Sequence, residues 1–427
     1  MNDNSNSRIR KIIYISDAPF QNLAFREAGL EYLQDHGYDV TVWTVGGIDK
    51  KSRYVYYDKD CDRCPVRHFQ YYSEYEEFVK ERKDDSIFIL ATLTKSPLLY
   101  AICFYKCIYF VMGTRSYIPN DPRYDYDTSR VDGETFGDRI REWYIRYRGQ
   151  VLLYPLIKYK QSKIEAENRD YRASHTTNIV ESNLPRAVFV SNRFTRDTML
   201  NEDGISIIEK CNVVYTNSRA YNDYLLEEEK GEEITEDFIL CANSGAGFYG
   251  AGIYKCHTEE DIYRPDEHQK YMKQIETMLD RLEEHYNMPV IVANHPRCEL
   301  RGYDFGGRKI IDGRTCELSK KCKMFVTATT TAITYPILYN KPILFFFNDC
   351  IKDKTKFWRL AYVPLMESLE LNGCNLDNEK MISEPWNYIT NIRPEVKERF
   401  LETYHYEKEV KDKSFGEILL ENVKAVE

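Results

Sequence analysis

The chain lacks the features of several large classes of protein. It carries no excess of basic side chains, because 59 Lys and Arg stand against 68 Asp and Glu, which gives a formal net charge of -9. A general nucleic-acid binder needs clustered basic residues that outweigh the acids, so we expect no nucleic-acid partner. The N-terminal residues lack the apolar segment and small-residue cleavage site of a signal peptide, which argues against export by that route.

Long apolar runs are also missing. The most apolar stretch, residues 96–112, contains Lys106 and falls short of the roughly 20 apolar residues that a membrane-spanning helix needs. We therefore predict a buried helix followed by a strand in this stretch. The expected location is the cytoplasm, with peripheral contact at the inner face of a membrane left open.

The cysteines do not form a disulfide framework. The 12 cysteines are scattered, and Cys103, Cys107 and Cys241 lie inside apolar runs, as buried reduced thiols do. Cys61 and Cys64 form one CxxC, but no fourth zinc ligand follows His68 at a suitable spacing. An ordinary loop is favoured there over a metal site.

A large and well-supplied core is present instead. Hydrophobic residues make up 43% of the sequence and aromatic residues 14%, which excludes a disordered chain for most of the length. At 427 residues the chain exceeds what one hydrophobic core usually organises, so two domains are expected.

Strands and helices alternate from the N-terminus onward. Residues 10–15 predict a strand, residues 22–36 a helix, and residues 38–45 a second strand, which together form a βαβ unit with parallel strands. The same alternation predicts helices at 74–82 and 97–106 and strands at 86–91, 108–112, 187–190, 198–201 and 212–216.

The middle of the chain has a different composition. Residues 136–168 are rich in Arg, Lys and aromatic residues and predict a basic amphipathic insertion. Helices packed on their own domain are favoured over helices that lie on an anionic membrane surface, although both remain open. The charged residues 227–236 predict a linker.

After this linker the alternation begins again. The fold class predicted is α/β, with two doubly wound Rossmann-like domains that face a central cleft. The predicted domains are residues 1–226, residues 237–400 and a helical tail at 401–427. The second domain is expected to have strands at 238–242, 288–293, 309–312, 324–327 and 342–347, and helices at 265–286, at 316–321 and from about residue 332.

A His-Pro pair follows the strand that ends at residue 293. His295 would lie at the carboxyl edge of a parallel sheet, where ligands bind, and Pro296 would stiffen its turn. A His there can donate a hydrogen bond to a phosphate or act as an acid. A purely structural role for His295 is the alternative.

Three threonines follow the next strand of the second domain. Thr329, Thr330 and Thr331 precede a predicted helix, and hydroxyls with free backbone N–H groups at a helix N-terminus bind anions. Plain N-capping is the alternative, but capping needs only one hydroxyl.

A glycine-rich turn follows the first strand of the second domain. Asn243, Ser244 and Gly245 open this turn, in which the glycines allow the backbone to approach a ligand closely. A dinucleotide fingerprint would need a helix to begin at its third glycine, whereas the next predicted helix begins near residue 265. A ligand-facing loop is therefore favoured over an oxidoreductase site.

The first domain offers three carboxylates at predicted strand ends. Glu202 and Asp203 are adjacent and precede Gly204, so each could raise the pKa of the other and one could act as a base. An acidic turn that caps a helix is the alternative. Asp17, after the first strand, is a further candidate base with the same two interpretations.

Taken together, these motifs resemble those of bacterial GT-B-fold sialyltransferases, including capsule polysialyltransferases. The resemblance rests on Glu202-Asp203-Gly204, His295-Pro296 and the threonine cluster, in that order along the chain. The His-Pro and hydroxyl elements also resemble those of CDP-glycerol glycerophosphotransferases.

The resemblance implies an inverting transferase of surface or capsular polysaccharide synthesis. It makes Asp203 or Glu202 the general base, His295 the acid or phosphate donor, and Thr329, Thr330 and Thr331 the phosphate cradle. The implied donor is a nucleotide-activated sugar, CMP-linked sialic acid or a related acidic sugar first and CDP- or UDP-linked donors second. The implied acceptor is a glycan or a lipid-linked glycan.

No metal or other cofactor is required by this scheme. One DxD motif does occur, at Asp125-Tyr126-Asp127, but it lies in the polar insertion and not at a clear strand end, which disfavours metal-dependent transfer. Two rival functions remain open: a nucleotide-sugar epimerase of the same fold, and a scaffold that binds nucleotide or sugar without catalysis.

Overall fold

The structure of the protein is a computed structural model. It describes residues 11–16, 22–45, 48, 61–91, 97–113, 119, 162, 166, 183–197, 207–226, 234–243, 265–294, 300, 303–354 and 358–427.

The chain divides into two compact units. The first unit comprises Met1–Arg115, Tyr147–Asn222 and Tyr406–Glu427, and the second comprises Ser116–Arg146 and Asp223–His405. The chain therefore passes between the units four times, and in the described residues it passes from the first unit to the second after Asn222 and returns after His405.

The first unit contains one parallel sheet with the strand order β3-β2-β1-β4-β5-β6-β7. Its central strands are apolar and buried on both faces, as in other doubly wound sheets. Ile13 and Ile15 join one core cluster while Ile12 and Tyr14 join the other, because successive side chains point to opposite faces. The strands are β1 (Lys11–Ser16), β2 (Asp39–Thr44), β3 (Val66–His68), β4 (Ser86–Leu90), β5 (Ile108–Met112), β6 (Ala187–Val190) and β7 (Val213–Tyr215).

The helix predicted at residues 22–36 is two helices. It is interrupted at Gly29, whose φ of 68° lies in the left-handed region that favours glycine. The helices of the first unit include α1 (Asn22–Glu27), α2 (Leu30–Asp35), α3 (Tyr72–Arg82), α4 (Pro97–Phe104), α5 (Ile207–Lys210) and α6 (Arg219–Leu226), which continues into the second unit.

The last helix of the chain belongs to the first unit. Helix α14 (Phe415–Lys424) begins with a capping box between Ser414 and Glu417. Its buried residues Phe415, Ile418 and Leu419 complete the core cluster that lies on one face of the first sheet. A Cβ at Gly416 would lie 2.5 Å from the Cβ of Tyr32, so α14 can approach α2 this closely only with glycine there.

The second unit repeats the topology. Its parallel sheet has the order β10-β9-β8-β11-β12-β13, which corresponds to the Rossmann order 3-2-1-4-5-6. The strands are β8 (Ile239–Ala242), β9 (Val290–Asn294), β10 (Lys309–Asp312), β11 (Met324–Thr327), β12 (Ile343–Phe347) and β13 (Gly373–Asn375).

The helices of the second unit are longest before β9 and after β13. They are α7 (Pro265–Tyr286), α8 (Thr315–Lys321), α9 (Thr334–Leu338), α10 (Asp349–Lys354), α11 (Val363–Leu369), α12 (Glu379–Ser383) and α13 (Pro394–Tyr404), with short 3-10 helices at Thr331–Ile333 and Pro385–Tyr388 and a π-helix at Trp358–Tyr362.

Both doubly wound sheets are confirmed, and so is the α/β class. Residues 96–112 contain helix α4 and strand β5 as predicted, and the stretch includes the buried thiols of Cys103 and Cys107. No helix in the described part of the chain is both long and apolar enough to cross a membrane. The predicted strand 198–201, most of the linker and nearly all of the insertion 136–168 lie outside the described residues.

The CxxC is a buried part of the first unit. Cys61 and Cys64 both pack in the core cluster beside α14, and burial raises the pKa of the Cys64 thiol to about 12. A thiol with so high a pKa is a poor nucleophile and a poor metal ligand at neutral pH. Among the described residues, no group of three or more His, Cys, Asp or Glu is placed to hold a metal ion.

Candidate functional site

The carboxyl edge of the second sheet is the candidate site. In a doubly wound sheet, ligands bind outside the carboxyl ends of the strands at the point where the strand order reverses. In this sheet the order reverses at the neighbours β8 and β11. Asn243 follows β8 and the threonine cluster follows β11, so two of the predicted binding segments begin at this point.

A chain of polar side chains connects three strand ends at this edge. Asn243 Nδ2 donates to Asn294 Oδ1 at 3.0 Å, and Asn294 Nδ2 donates to Asp312 Oδ1 at 2.8 Å. The carboxyl oxygen of Asp312 accepts this hydrogen bond, so Asp312 fixes which way the amide of Asn294 faces. That orientation in turn makes Asn294 the acceptor for Asn243. The hydrogen bonds thus run in one direction, from Asn243 through Asn294 to Asp312. They hold the side chain of Asn294, the last residue of β9, directly before His295.

We call residues Ala328–Thr331 the threonine turn. Thr330 is the N-cap of the 3-10 helix that follows, and its hydroxyl accepts a hydrogen bond from the backbone N–H of Ala332 at 3.3 Å. Thr331 is exposed. The N-capping interpretation is therefore met by Thr330 alone, and the role of Thr329 needs another explanation.

Thr329 carries a buried hydroxyl without a partner. The residue is 8% exposed, and its Oγ1 finds no hydrogen-bond partner among the residues that the structure describes. Leaving a buried hydroxyl unpaired costs about 1–3 kcal/mol, so such a group in a folded protein calls for an explanation. A ligand oxygen that accepts a hydrogen bond from Thr329 would remove this cost.

The helix after the threonine turn is shorter than expected. A 3-10 helix at Thr331–Ile333 leads into the five-residue helix α9. The macrodipole needs many aligned peptide units, so the contribution of helix α9 to anion binding is smaller than the sequence suggested. Most of the anion binding expected here therefore depends on the hydroxyl and backbone N–H donors of the threonine turn.

The other sequence-predicted site residues lie outside the described residues. This applies to His295 and Pro296, to Ser244 and Gly245, to Glu202 and Asp203, to Asp17, and to the DxD motif at Asp125 and Asp127. Their roles stay predictions. The strand ends next to two of these groups are described, since β9 ends at Asn294 and β8 ends one residue before Asn243.

Asp312 is the residue of this edge that sequence analysis missed. It ends β10 and lies in register with Asn294, the last residue of β9. A signal was present, because an acidic residue at the carboxyl end of a strand of a parallel sheet lies at the ligand edge. The strand was predicted correctly, but only the strand order of the folded sheet shows that β9 and β10 are neighbours.

Comparisons with known proteins give likenesses of fold only. No protein-family model matches the chain, and no curated protein matches it in sequence. Among solved structures it is similar to S. aureus MnaA with UDP, at 13% identity and a TM-score of 0.46 over 98% of this chain and 96% of that one.

Two further solved structures give similar values. The wall teichoic acid polymerase TagF shares 12% identity at a TM-score of 0.45, over 98% of this chain and 90% of that one. A putative UDP-N-acetylglucosamine 2-epimerase from Listeria monocytogenes shares 10% identity at a TM-score of 0.49, over 98% and 96%. At these identities and TM-scores the likenesses say nothing about what this chain binds or catalyses.

Proposed function

We propose that the protein is a glycosyltransferase that uses a nucleotide-activated donor and holds the donor phosphate at the carboxyl edge of its second sheet. The GT-B-like arrangement, in which two Rossmann-like domains face a cleft, is part of this proposal. The observation that carries it is the unpaired buried hydroxyl of Thr329, which lies two residues after the end of β11, at the point where the strand order reverses.

The polar chain at the same edge supports the proposal. Amide and hydroxyl groups suit a phosphate and a sugar, because both ligands offer many hydrogen-bonding oxygens. Asp312 and Asn243 hold Asn294 from both sides, so the residue before His295 has a fixed side chain. A fixed neighbour preorganises His295 for work on the donor phosphate.

The proposed chemistry is inverting transfer without a metal. Asp203 or Glu202, with Asp17 as a further candidate, takes the proton of the acceptor hydroxyl while that oxygen attacks the anomeric carbon. The bond from that carbon to the phosphate oxygen breaks, and the leaving phosphate gains negative charge. His295 and the hydroxyls of the threonine turn stabilise this charge, and a preorganised donor of this kind contributes about 3–4 kcal/mol.

The donor proposed first is a CMP-linked acidic sugar such as sialic acid, and the acceptor proposed is a surface glycan or a lipid-linked glycan. Both rest on the motif resemblance. CDP-glycerol transfer is the second candidate, since the His-Pro and threonine elements are common to it. Epimerisation of a nucleotide sugar differs because it needs no acceptor.

The test is a thermal-shift screen with CMP, CDP, UDP, GDP and their sugar or glycerol conjugates. A ligand that binds only the native state stabilises it by mass action, and at about 100 times its Kd the gain is about 2.7 kcal/mol. We expect a cytidine nucleotide to raise the melting temperature of the wild type and to raise that of His295→Ala much less. If no nucleotide raises it, the proposed site is wrong.

Product analysis separates the enzyme classes. A transferase consumes its donor conjugate quickly only when a glycan acceptor is present, and Asp203→Asn slows that consumption. An epimerase converts the nucleotide sugar without any acceptor. A scaffold binds the nucleotide but gives no product, and the Asp203→Asn variant then behaves as the wild type does.

A further inference from the structure

Two of the four points at which the chain passes between the units lie in the described residues. The first is at Asn222 and Asp223, inside helix α6, and the second is at His405 and Tyr406, directly after helix α13. We call these the outgoing and returning crossings. Within the second unit, the residues of both crossings contact the same short helix, α9, which follows the threonine turn.

The returning crossing contacts the first residue of α9. His405 Nε2 and Thr334 Oγ1 share a hydrogen bond at 3.3 Å, and both residues are fully buried. The ring of His405 also packs against Phe400, at 5.1 Å between ring centroids. Burial lowers the pKa of His405 to about 3, so the ring is neutral at physiological pH and the bond joins two neutral groups.

The outgoing crossing contacts the second residue of α9. The hydroxyl of Tyr335 donates to Asp223 Oδ2 at 2.8 Å, and Asp223 is 7% exposed. A hydroxyl that donates to a carboxylate oxygen at this distance makes a direct hydrogen bond between α9 and the crossing. The next residue of the crossing, Tyr224, packs edge-on against Tyr339, at 5.2 Å between ring centroids.

Helix α9 needs such contacts because it is short. Five residues make less than two helical turns, and isolated helices of that length are unstable in water. Its C-terminal end is held by Lys397 of α13, whose Nζ donates to Leu338 O and to Asn340 Oδ1, both at 2.9 Å. Side chains from α6 and α13 therefore determine where α9 and the turn before it lie.

We propose that His405 and Asp223 are positioning residues for the threonine turn, and that through them the turn is coupled to the outgoing and returning crossings. The inference rests on the proposed function for the identity of the ligand, but the anchoring itself does not need a ligand. Thr334 and Tyr335 are consecutive, so movement at either crossing shifts the 3-10 helix that Thr330 caps.

The test begins with hydrogen exchange in the ligand-free full-length protein. Thr334→Val and Tyr335→Phe each remove one hydroxyl and keep the shape of the side chain. We expect amide exchange in peptides that cover residues 331–339 to become about fivefold faster, the factor that one lost hydrogen bond of ordinary strength allows. Exchange in β11 should stay as in the wild type.

Substitutions of Asp223, which accepts the hydrogen bond from Tyr335, test the other side of this contact. Asp223→Asn keeps an oxygen that accepts from Tyr335, so its exchange at residues 331–339 should stay near that of the wild type. Asp223→Leu should behave as Tyr335→Phe does. The matched control is Thr403→Val, because the hydroxyl of Thr403 donates to Arg399 O within α13. If exchange at 331–339 is unchanged in both Thr334→Val and Tyr335→Phe, the inference is wrong.

Titration with CDP then separates positioning from plain structural support. If the wild type binds CDP, Thr334→Val and Tyr335→Phe should weaken that binding about tenfold while the Thr403→Val control binds normally. Faster exchange with unaltered CDP affinity would overturn the positioning role. A wild type that binds no CDP would count against the proposed nucleotide site alone, and the exchange results would still decide the anchoring.

Discussion

The two sheets share a strand order and differ at their carboxyl edges. In the first unit, polar residues that follow β6 and β7 form hydrogen bonds with other residues of the protein. Asn192 Oδ1 accepts from Thr195 N at 2.8 Å and from Thr195 Oγ1 at 2.9 Å, and Asn217 Nδ2 donates to Val410 O and Lys413 O. In the second unit, Asn243, Asn294 and Asp312 bind one another, and Thr329 Oγ1 has no partner among the described residues.

The difference shows that topology does not decide what a sheet edge is used for. In the first unit the described polar groups cap a helix and hold the C-terminal segment, and Asn217 makes its hydrogen bonds through Nδ2 while its Oδ1 has no partner among the described residues. In the second unit the hydroxyl of Thr329, the only polar group of that side chain, has no partner among the described residues. Function therefore has to be argued from the groups at the edge, since many functions share one fold.

The largest effect should come from the C-terminal helix of the first unit. Leu419 is fully buried in the core cluster beside the first sheet, so Leu419→Ala should lower the free energy of unfolding by about 2–5 kcal/mol. Urea unfolding measures this, with the exposed Lys424→Ala on the same helix as control. A loss below about 1 kcal/mol would contradict the assignment of α14 to the core of the first unit.

The second prediction concerns pH and the buried histidine of the second unit. The pKa of His405 is about 3 in the folded protein and about 6.5 in an unfolded chain. Below about pH 6.5 the unfolded chain binds a proton that the native protein does not bind, so stability falls as the pH falls towards 3. Each pH unit inside that window costs at most about 1.4 kcal/mol.

The measurement compares urea unfolding of the wild type and His405→Gln at about pH 7 and about pH 5. The variant should lose about 2 kcal/mol less than the wild type over this interval. His36→Gln, at an exposed histidine of the first unit, is the control for the loss of a histidine. Equal pH dependence in the wild type and His405→Gln would contradict a buried neutral His405.

The third prediction concerns a structural polar group of the first edge. Asn192 is 1% exposed and caps the helical residues 193–197, so Asn192→Ala should lower the free energy of unfolding by about 1–2 kcal/mol. Nucleotide binding should be unaffected. If the variant is as stable as the wild type but fails to bind nucleotide, the two edges do not differ as we describe.

The smallest and most diagnostic effect should come from Thr329→Val. Removing an unpaired buried hydroxyl should leave the free energy of unfolding unchanged or raise it by up to about 1 kcal/mol. Thr327→Val is the matched control, because the Thr327 hydroxyl donates to Ala328 O at 3.0 Å. Its loss should lower stability by about 1 kcal/mol. A Thr329→Val variant less stable than Thr327→Val would mean that Thr329 has a structural partner.

Much of the fold was predictable from periodicity and burial. Strand β5 and helix α7 have the predicted bounds, because a long amphipathic helix and a wholly buried strand give strong patterns. Strands β3 and β13 were missed since each has three residues and too few positions to show alternation. The break at Gly29 was missed because a single glycine also occurs inside continuous helices.

The site was predictable in position but not in detail. A hydroxyl cluster after a parallel strand indicated the carboxyl edge, and β11 does end immediately before it. Which threonine caps the 3-10 helix and which remains unpaired depends on donors and acceptors that only the folded chain brings together. Likewise, the contacts of Asp223 and His405 with α9 join residues far apart in the sequence.

The most direct test of the account is calorimetric titration of the wild type and Thr329→Val with CMP, CDP and UDP. We expect the wild type to bind at least one of these nucleotides, and we expect Thr329→Val to bind it about tenfold more weakly while remaining at least as stable as the wild type. Equal binding by both proteins would contradict the phosphate role of Thr329. Absence of binding in the wild type would contradict the nucleotide site itself.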